Sequence, residues 1–306
     1  MSPQRLSATV ALALAACAAL AGCGGSDAAP TAPAEAAASA SAATPPQTAA
    51  RASARRWTRG YPSSITVLGH SGSTGESSDP AQPRVEVRAN SWVTGSNPEV
   101  NSLYLRIRKH NPAIEGRNIP YSEGGADVDE LAVQASRLLS SKLTPDLILI
   151  QIMDNDLTCP IQYAALTDFQ KKLTTTLKRL ARGAPNSSQF VVSQVGSVRT
   201  YARSLSRAER ASQGAKGPCD FMSPTGSVVP KKVARLEAAI HAYERALRAA
   251  CATVRQCTYD GGAFGRIIDR REYFSDDLNH FTINGNAKAA AVAWAALLRS
   301  HVLPRP

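Results

Sequence analysis

The segment 146–156 reads DLILIQIMDND, and it decides the fold class of this chain of 306 residues. Its first seven residues are almost all apolar, and a polar cluster follows them directly. A continuous apolar run of this length is typical of a strand that is buried on both faces, as in a parallel sheet. Segments 64–68 and 190–195 are apolar runs of the same kind, and 117–121 is a further candidate strand.

Longer segments with helical periodicity separate these candidate strands. The predicted helices are 98–110, 128–139, 161–182, 230–250 and 283–301. Strands that alternate with helices indicate an α/β fold with a parallel sheet and helices on both of its faces. Ligands of such folds bind at the carboxyl ends of the strands, so chemistry is expected there. The polar segment 203–228 is expected to be an irregular excursion on the surface.

The N-terminus has the features of an export signal. Residues 8–21 form an apolar run of small side chains behind Arg5, and this run is shorter than the about 20 residues that a transmembrane helix needs. It ends in the sequence LAGC, which resembles the bacterial lipobox, in which the cysteine is lipidated and becomes the mature N-terminus. We therefore expect a signal peptide over 1–22 and lipidation at Cys23, with simple cleavage near this point as the alternative.

The residues after the signal divide into a tether and one domain. Residues 24–56 are mostly alanine, proline, serine and threonine, and they carry too little apolar surface to offset the entropy of ordering. We therefore expect a disordered tether over 23–60. Residues 61–306 have the length of a single α/β domain. The expected location is extracytoplasmic, either as a membrane-anchored bacterial lipoprotein or as a secreted protein.

Net charge and cysteine content narrow the partners and cofactors. The formal net charge is +11, but no nucleic-acid-binding motif accompanies it, and no nucleic-acid partner is expected. Four of the six cysteines lie beyond the signal, and in an exported chain they predict two disulfides with three possible pairings. Cys251–Cys257 is the favoured local pair, which leaves Cys159–Cys219. A metal site is the rival, although no histidine lies close to these cysteines.

Polar residues of chemically useful types occur at three places. Ser71 follows the first candidate strand, Asn155 follows the segment that decides the fold, and Asp277 and His280 lie near the C-terminus. Each residue alone has an ordinary explanation, since serine beside glycine is a common turn residue, asparagine caps helices and a single histidine is usually structural. Their joint placement and their order along the chain indicate a functional site.

This order of blocks resembles that of the SGNH, or GDSL-type, serine hydrolases. The family carries serine in a Gly-Asp-Ser block, then a glycine, then a Gly-x-Asn-Asp block, and finally Asp-x-x-His. The matching positions here are Ser71, Gly125, Asn155, Asp156, Asp277 and His280. The resemblance spans about 65–298. It implies the SGNH hydrolase fold, an α/β three-layer sandwich with a flavodoxin-like parallel sheet and helices on both faces.

The resemblance also implies an ester hydrolase that acts through an acyl-enzyme. Ser71 would be the nucleophile, His280 the base that takes its proton, and Asp277 the acid that orients the imidazole. The oxyanion hole would consist of the Ser71 N–H, the Gly125 N–H and the Asn155 side-chain amide. Neither a metal nor another cofactor is required, and a monomer is expected.

Two departures from the family pattern and one competing acid bear on this interpretation. His70 replaces the aspartate before the nucleophile, and Met153 replaces the first glycine of the third block. Asp276 competes with Asp277 for the role of the acid, and the Asp-x-x-His spacing favours Asp277. The substrate is open between a lipid, a small ester and an O-acetylated carbohydrate. The rival hypothesis is a non-catalytic surface lipoprotein that uses the same fold as a binding module.

Overall fold

The computed structural model of the protein describes residues 60–214 and 218–305. The predicted signal peptide over 1–22, the lipidation site Cys23 and residues 23–59 of the predicted tether lie outside the described residues. Within the two described ranges, no helix combines the length and the apolar character that are needed to cross a membrane.

A sheet of five parallel strands forms the centre of the domain. Its strands are β1 (Ile65–Gly69), β2 (Asn118–Pro120), β3 (Leu147–Gln151), β4 (Ser188–Val191) and β5 (Cys257–Tyr259). They lie side by side in the order β2-β1-β3-β4-β5. The central strand β3 is buried along its whole length, so the predicted parallel sheet is confirmed. Strand β5 is not among the predicted strands because it is short and only partly buried.

Helices cover both faces of this sheet. Over the described residues they are α1 (Leu103–His110), α2 (Val128–Ser140), α3 (Tyr163–Gly183), α4 (Val198–Ser204), α5 (Arg207–Gln213), α6 (Pro230–Ala252) and α7 (Ile283–Arg299). Alternate residues of β3 point to opposite sides, so Leu147 and Leu149 pack with α1 and α7. Ile148 and Ile150 pack with α2, α3 and α6 instead. The predicted three-layer α/β sandwich is confirmed.

Helix α1 begins later than its sequence pattern predicts. The apolar spacing predicts a helix from residue 98, but α1 begins at Leu103, and the hydroxyl of its N-cap Ser102 accepts the Leu105 N–H. Asn101 has a φ of 47°, which a right-handed helix cannot accommodate. The apolar spacing therefore extends into a loop, where Val100 is buried without being helical.

The prediction of an irregular surface excursion over 203–228 is wrong. The segment contains helix α5, which a capping box closes at its N-terminus. Phe221 and Met222 are buried and pack against Leu236 of α6 in a third apolar cluster. Two apolar anchors in a polar segment give no periodicity, so the sequence pattern does not reveal this small core.

Two disulfides join the four cysteines of the domain in the favoured pairing. Cys251 is bonded to Cys257 just after α6, with a Cα–Cα distance of 5.3 Å. Cys159 is bonded to Cys219, with a Cα–Cα distance of 5.1 Å. Both distances are normal for a disulfide. The second bond ties the loop after β3 to the segment that precedes α6.

Candidate active site

The predicted blocks meet at the carboxyl edge of the sheet, where they surround one cavity. Ser71 follows β1, Asn155 follows β3, and His280 lies in the loop before α7. All three line a cavity of about 520 Å³, a volume in the range of small-molecule sites. The structure thus brings together the residues that the sequence predicts to be nucleophile, oxyanion donor and base. Their roles stay predictions.

Strand β1 presents Ser71 in a tight turn. Gly69, its last residue, has a φ of 131°, and a Cβ there would lie 1.8 Å from the carbonyl oxygen of Gln151. Only glycine therefore permits the close approach of β1 and β3 at this point. The side chain of Gln134 hydrogen-bonds both backbone groups of Gly69, at 2.7 and 3.0 Å. Ser71 then begins a 3₁₀ turn that ends at Ser73.

His70, which stands where the family has aspartate, holds this turn. Its Nδ1 accepts the Gly72 N–H at 3.0 Å, and its Nε2 lies 3.5 Å from Oδ2 of Asp154. Burial lowers the pKa of His70, although the charge of Asp154 opposes this shift. The neutral ring must carry its proton on Nε2, because Nδ1 is an acceptor. His70 thus supplies the turn with the acceptor that a carboxylate would otherwise provide.

Asp277 and His280 form a short hydrogen-bonded pair in one loop. The His280 Nδ1–H donates to Oδ2 of Asp277 at 2.7 Å. The second oxygen of Asp277 accepts from the Ser275 hydroxyl at 2.6 Å and from the Asn279 and His280 backbone N–H groups at 2.9 Å. This arrangement orients the imidazole and leaves its Nε2 as the basic nitrogen.

The same contacts set the charge states of the pair. Burial opposes ionisation of Asp277, but the hydrogen bonds from His280 and its neighbours hold the pKa of this carboxyl well below its usual range. Burial alone would lower the pKa of His280. The hydrogen bond and charge of Asp277, with the charges of Glu76 and Asp154, reverse this effect, and the net pKa of His280 is raised. The pair is therefore suited to stabilise an imidazolium.

Asp276, the competing acid, does not contact the imidazole in the described structure. Its side chain is 98% exposed and lies 3.7 Å from the Arg271 guanidinium. An exposed carboxylate can neither orient the ring nor stabilise it strongly. The geometry therefore favours Asp277 as the partner of His280.

Among the described residues, no hydrogen bond joins the Ser71 hydroxyl to His280. The Nε2 of His280 instead lies 3.4 Å from Nδ2 of Asn279 and 3.7 Å from Oε2 of Glu76. Catalytic hydrogen bonds are often long or poorly aligned until substrate binds. The surroundings of Nε2 identify Glu76 as a neighbour of the predicted base that the sequence pattern does not indicate.

The three predicted oxyanion donors have hydrogens to offer. Within the described part of the chain, the backbone N–H groups of Ser71 and Gly125 have no acceptor. Asn155 donates one amide hydrogen to the Ala126 carbonyl at 2.9 Å, and within the described residues its other amide hydrogen has no acceptor. Gly125 has a φ of 76°, which favours glycine. It is exposed and is not part of the cavity lining.

Met153 shows why the third block usually begins with glycine. Its φ is 140°, in a region where a side chain costs about 1–3 kcal/mol. The side chain is buried with Ile148 and Ile150 in the apolar cluster between the sheet and helices α2, α3 and α6, and this packing offsets the strain. The backbone at this position thus has the conformation that a glycine would adopt, although the residue differs.

Asp156, the last residue of the third block, carries a shifted pKa that the pattern does not predict. Burial raises the pKa of its carboxyl to about 7, against the opposing hydrogen bond from the Val128 N–H. That hydrogen bond, at 3.0 Å, caps the first turn of α2, and the Asp156 carbonyl accepts from the Tyr243 hydroxyl at 2.7 Å. Asp156 therefore links β3 to two helices and supports the loop that carries Asn155.

Comparison with known proteins gives structural likeness only. No family model and no curated protein sequence matches the chain. Solved structures similar to it include a mutant of Axe2, an acetyl-xylooligosaccharide esterase from Geobacillus Stearmophilus, with 11% identity and a TM-score of 0.47 over 81% of this chain and 99% of that one. A putative GDSL-like lipase from Parabacteroides merdae has 14% identity and a TM-score of 0.46, with 80% and 98% covered. An extracellular lipase from Streptomyces rimosus has 16% identity and a TM-score of 0.45, with 76% and 99% covered.

The architecture itself tests the resemblance that the sequence suggests. Parallel strands lie between two helical layers, and the predicted blocks follow β1 and β3 or precede α7, where a substrate of an α/β fold would bind. The chain thus has the three-layer α/β architecture that its sequence predicted, with the predicted blocks at the carboxyl edge of the sheet.

Proposed function

We propose that this protein is an ester hydrolase that acts through a serine acyl-enzyme. The observation that carries the proposal is the 2.7 Å hydrogen bond between Asp277 and His280, on a loop that shares one cavity with Ser71. A serine hydroxyl is a weak nucleophile unless a base takes its proton. An oriented imidazole at the same cavity supplies such a base.

The proposed reaction has two halves. The Ser71 hydroxyl transfers its proton to Nε2 of His280 while Oγ attacks the ester carbonyl carbon, and the electron pair of the C=O bond moves to the oxygen. The tetrahedral intermediate then collapses, the C–O bond to the alcohol breaks, and the alcohol leaves with the proton from Nε2. Water repeats these steps on the acyl-enzyme and releases the acid.

The oxyanion of the intermediate would be met by the free donors described above. These are the backbone N–H groups of Ser71 and Gly125 and the second amide hydrogen of Asn155. Donors that are already in place gain strength as negative charge develops on the oxygen, and loss of one typically costs about 10²–10³ in rate. Asn155 is the donor whose removal is simplest to test.

The apolar part of the cavity lining supports an ester with an apolar acyl chain as the substrate. Beside polar side chains such as Gln194, Gln213 and Asp269, the cavity lining has an apolar part that includes Leu157, Val198, Phe221, Met222, Leu236 and Ile240. This part of the lining gains free energy from each methylene that leaves water. Of the three substrate classes that the sequence leaves open, we therefore propose a lipid or small ester with a chain of several carbons.

We also propose that the protein is exported and held at a membrane by a lipid on Cys23. The support is the lipobox-like sequence at the end of an apolar signal. Labelling of expressing cells with an alkyne fatty acid tests this proposal. Label is expected on the wild type and not on Cys23→Ala, and equal labelling of both would contradict it.

A fluorophosphonate probe tests the catalytic proposal. The wild type is expected to be labelled, whereas Ser71→Ala is not. A non-catalytic binding module, the rival from another class, would leave the wild type unlabelled, and equal labelling of Ser71→Ala would also reject our assignment. Hydrolysis of p-nitrophenyl esters, run beside acetylated sugars, then separates the substrate classes.

A further inference from the structure

Glu76 lies on the loop that carries the candidate nucleophile. The chain turns at Gly75, with a φ of 75°, and Glu76 then pairs with Glu86 in an isolated antiparallel bridge. The Ser77 N–H donates to the Val85 carbonyl at 3.0 Å, and the Val87 N–H donates to Gly75 at 3.3 Å. These backbone contacts fix the direction of the Glu76 side chain.

The carboxylate of Glu76 is aimed at the base. Its side chain is only 21% exposed, and Oε2 lies 3.7 Å from Nε2 of His280. Within the described residues, Glu76 has no other ion-pair partner. A Cβ on Gly124 would come within 2.9 Å of Oε2, so glycine at this position leaves room for the carboxylate. A largely buried carboxylate needs a partner, and here the nearest one is the imidazole.

The neighbouring Glu86 has a different role. Its Oε1 accepts the Gly124 N–H at 2.6 Å, and its Oε2 accepts from the Arg88 guanidinium at 2.7 Å. Both oxygens of Glu86 are therefore occupied by structural contacts. Of the two carboxylates in the bridge, only that of Glu76 is directed at the histidine.

The contact between the Glu76 carboxylate and Nε2 of His280 becomes attractive when the imidazole gains a proton. While Nδ1 donates to Asp277, the unprotonated Nε2 and the Glu76 oxygen are both acceptors and cannot bond to each other. Nε2 then accepts only the long contact from Asn279. Once protonated, Nε2 repels that amide hydrogen and attracts the carboxylate, so the ring carries a negative partner on each side.

We propose that Glu76 is a positioning residue for His280, which stabilises the form of the imidazole that is protonated at Nε2. This inference rests on the proposed function, in which Nε2 takes the serine proton. At neutral pH the same carboxylate strengthens the base. In acidic solution it keeps His280 protonated up to a higher pH, so the loss of activity on acidification begins at a higher pH.

The other charged groups that face the imidazole are accounted for. Asp277 lies on its own loop and contacts Nδ1, and Asp154 approaches from the end of β3, where it is paired with His70 at 3.5 Å. His70 itself is a buried positive charge only if protonated, and burial lowers its pKa. Of the charged groups in the described residues, Glu76 is the one that lies within 4 Å of Nε2.

The test is the pH profile of kcat/KM for a p-nitrophenyl ester between about pH 4 and pH 8. Unit charges about 4 Å apart shift a pKa by on the order of one unit in a partly hydrated site. The acid limb is the low-pH part of this profile, where kcat/KM rises with pH as His280 loses its proton. Glu76→Gln is expected to move the acid limb down by about one pH unit. The fraction of the plateau activity that remains at low pH should therefore rise about fivefold to tenfold. The plateau itself is expected to fall by about threefold to tenfold, because the base is weaker.

Two further variants make the test specific. Glu76→Asp keeps the charge but withdraws it by one methylene, and its acid limb is expected between those of the wild type and Glu76→Gln. Glu99→Gln removes an exposed carboxylate that makes no ion pair in the described structure, and its profile should match the wild type. The thermal midpoint of each variant shows whether it is folded.

The outcomes separate this inference from the proposed function. A wild type that neither hydrolyses esters nor reacts with the fluorophosphonate rejects the proposed function and this inference with it. An active wild type with an unchanged acid limb in folded Glu76→Gln overturns the role of Glu76 alone. If Glu76→Gln does not fold, an unchanged limb in Glu76→Asp overturns it equally.

Discussion

The hydrogen bonds around Asp277 allow the effect of Asp277→Asn to be worked out atom by atom. Oδ1 of the carboxylate accepts three hydrogen bonds, and Oδ2 accepts one from Nδ1 of His280. Asparagine has a single oxygen, which we expect in the place of Oδ1 because three donors face it. Its NH₂ group then faces the imidazole and donates to Nδ1.

The consequence is a change of tautomer. An Nδ1 that accepts a hydrogen bond carries no proton, so the one proton of the neutral ring moves to Nε2. A protonated Nε2 cannot take the proton of Ser71, and we expect kcat/KM to fall by about 10³–10⁴. The number of hydrogen bonds at residue 277 is unchanged, but they lose the carboxylate charge, so the free energy of unfolding at neutral pH is expected to fall by about 1–3 kcal/mol.

The assay compares Asp277→Asn with Asp276→Asn, its neighbour in the same loop. Asp276 is 98% exposed, and its variant is expected to keep wild-type kcat/KM. Ester hydrolysis, the rate of fluorophosphonate labelling and the thermal midpoint are measured for both. A kcat/KM of Asp277→Asn within tenfold of the wild type, or an equal loss in Asp276→Asn, would refute the tautomer argument.

Three further outcomes are expected from the same structure. Because each buried methylene contributes about 0.8 kcal/mol, kcat/KM should rise about fourfold per carbon from acetyl esters until the chain fills the apolar part of the cavity, and a profile that falls from acetyl onward would contradict the proposed substrate. Burial raises the pKa of Asp156 to about 7, above its unfolded value of about 3.9, so the folded state binds the extra proton and stability should fall as pH rises from about 4 to about 7. Asp156→Asn should remove this decline in urea titrations at pH 5 and pH 8, and an unaltered decline would reject the assignment. The Cys159–Cys219 bond closes a loop with a sequence separation of 60 residues, whereas the Cys251–Cys257 bond closes one of 6. Replacement of the first pair by serine should therefore lower the free energy of unfolding by about 4 kcal/mol, and replacement of the second pair by about 2 kcal/mol. The reverse order would count against this loop-entropy reasoning.

Much of the fold could be predicted from local pattern. The uninterrupted apolar run that became β3 indicates burial on both faces, and the structure places alternate residues of β3 in two separate cores. Prediction of the candidate site required only the order of the blocks and their positions relative to β1, β3 and α7. Parallel strands bring their carboxyl ends to one edge, so Ser71, Asn155 and His280 could be expected at a common site.

The errors have a common origin. Phe221 and Met222 lie in a polar segment, and β5 is too short to show an alternation, so neither could be recognised by periodicity. The raised pKa of Asp156 depends on burial beneath α2 and α6, which no neighbouring residue in the chain reveals. These features come from contacts between residues far apart in sequence.

The sequence by itself determined the class of fold and the order of the chemical blocks, and it singled out the candidate base and its candidate acid, because strand burial, turns and the Asp-x-x-His loop are local properties. Only the tertiary structure decided what surrounds Nε2 of His280. Glu76 is separated from it by 204 positions, the difference between 280 and 76, yet lies 3.7 Å away. A contact between two charges leaves no periodic pattern in either segment. The position of Glu76 beside His280 therefore follows only from the packing of the loop that carries Ser71 and Glu76.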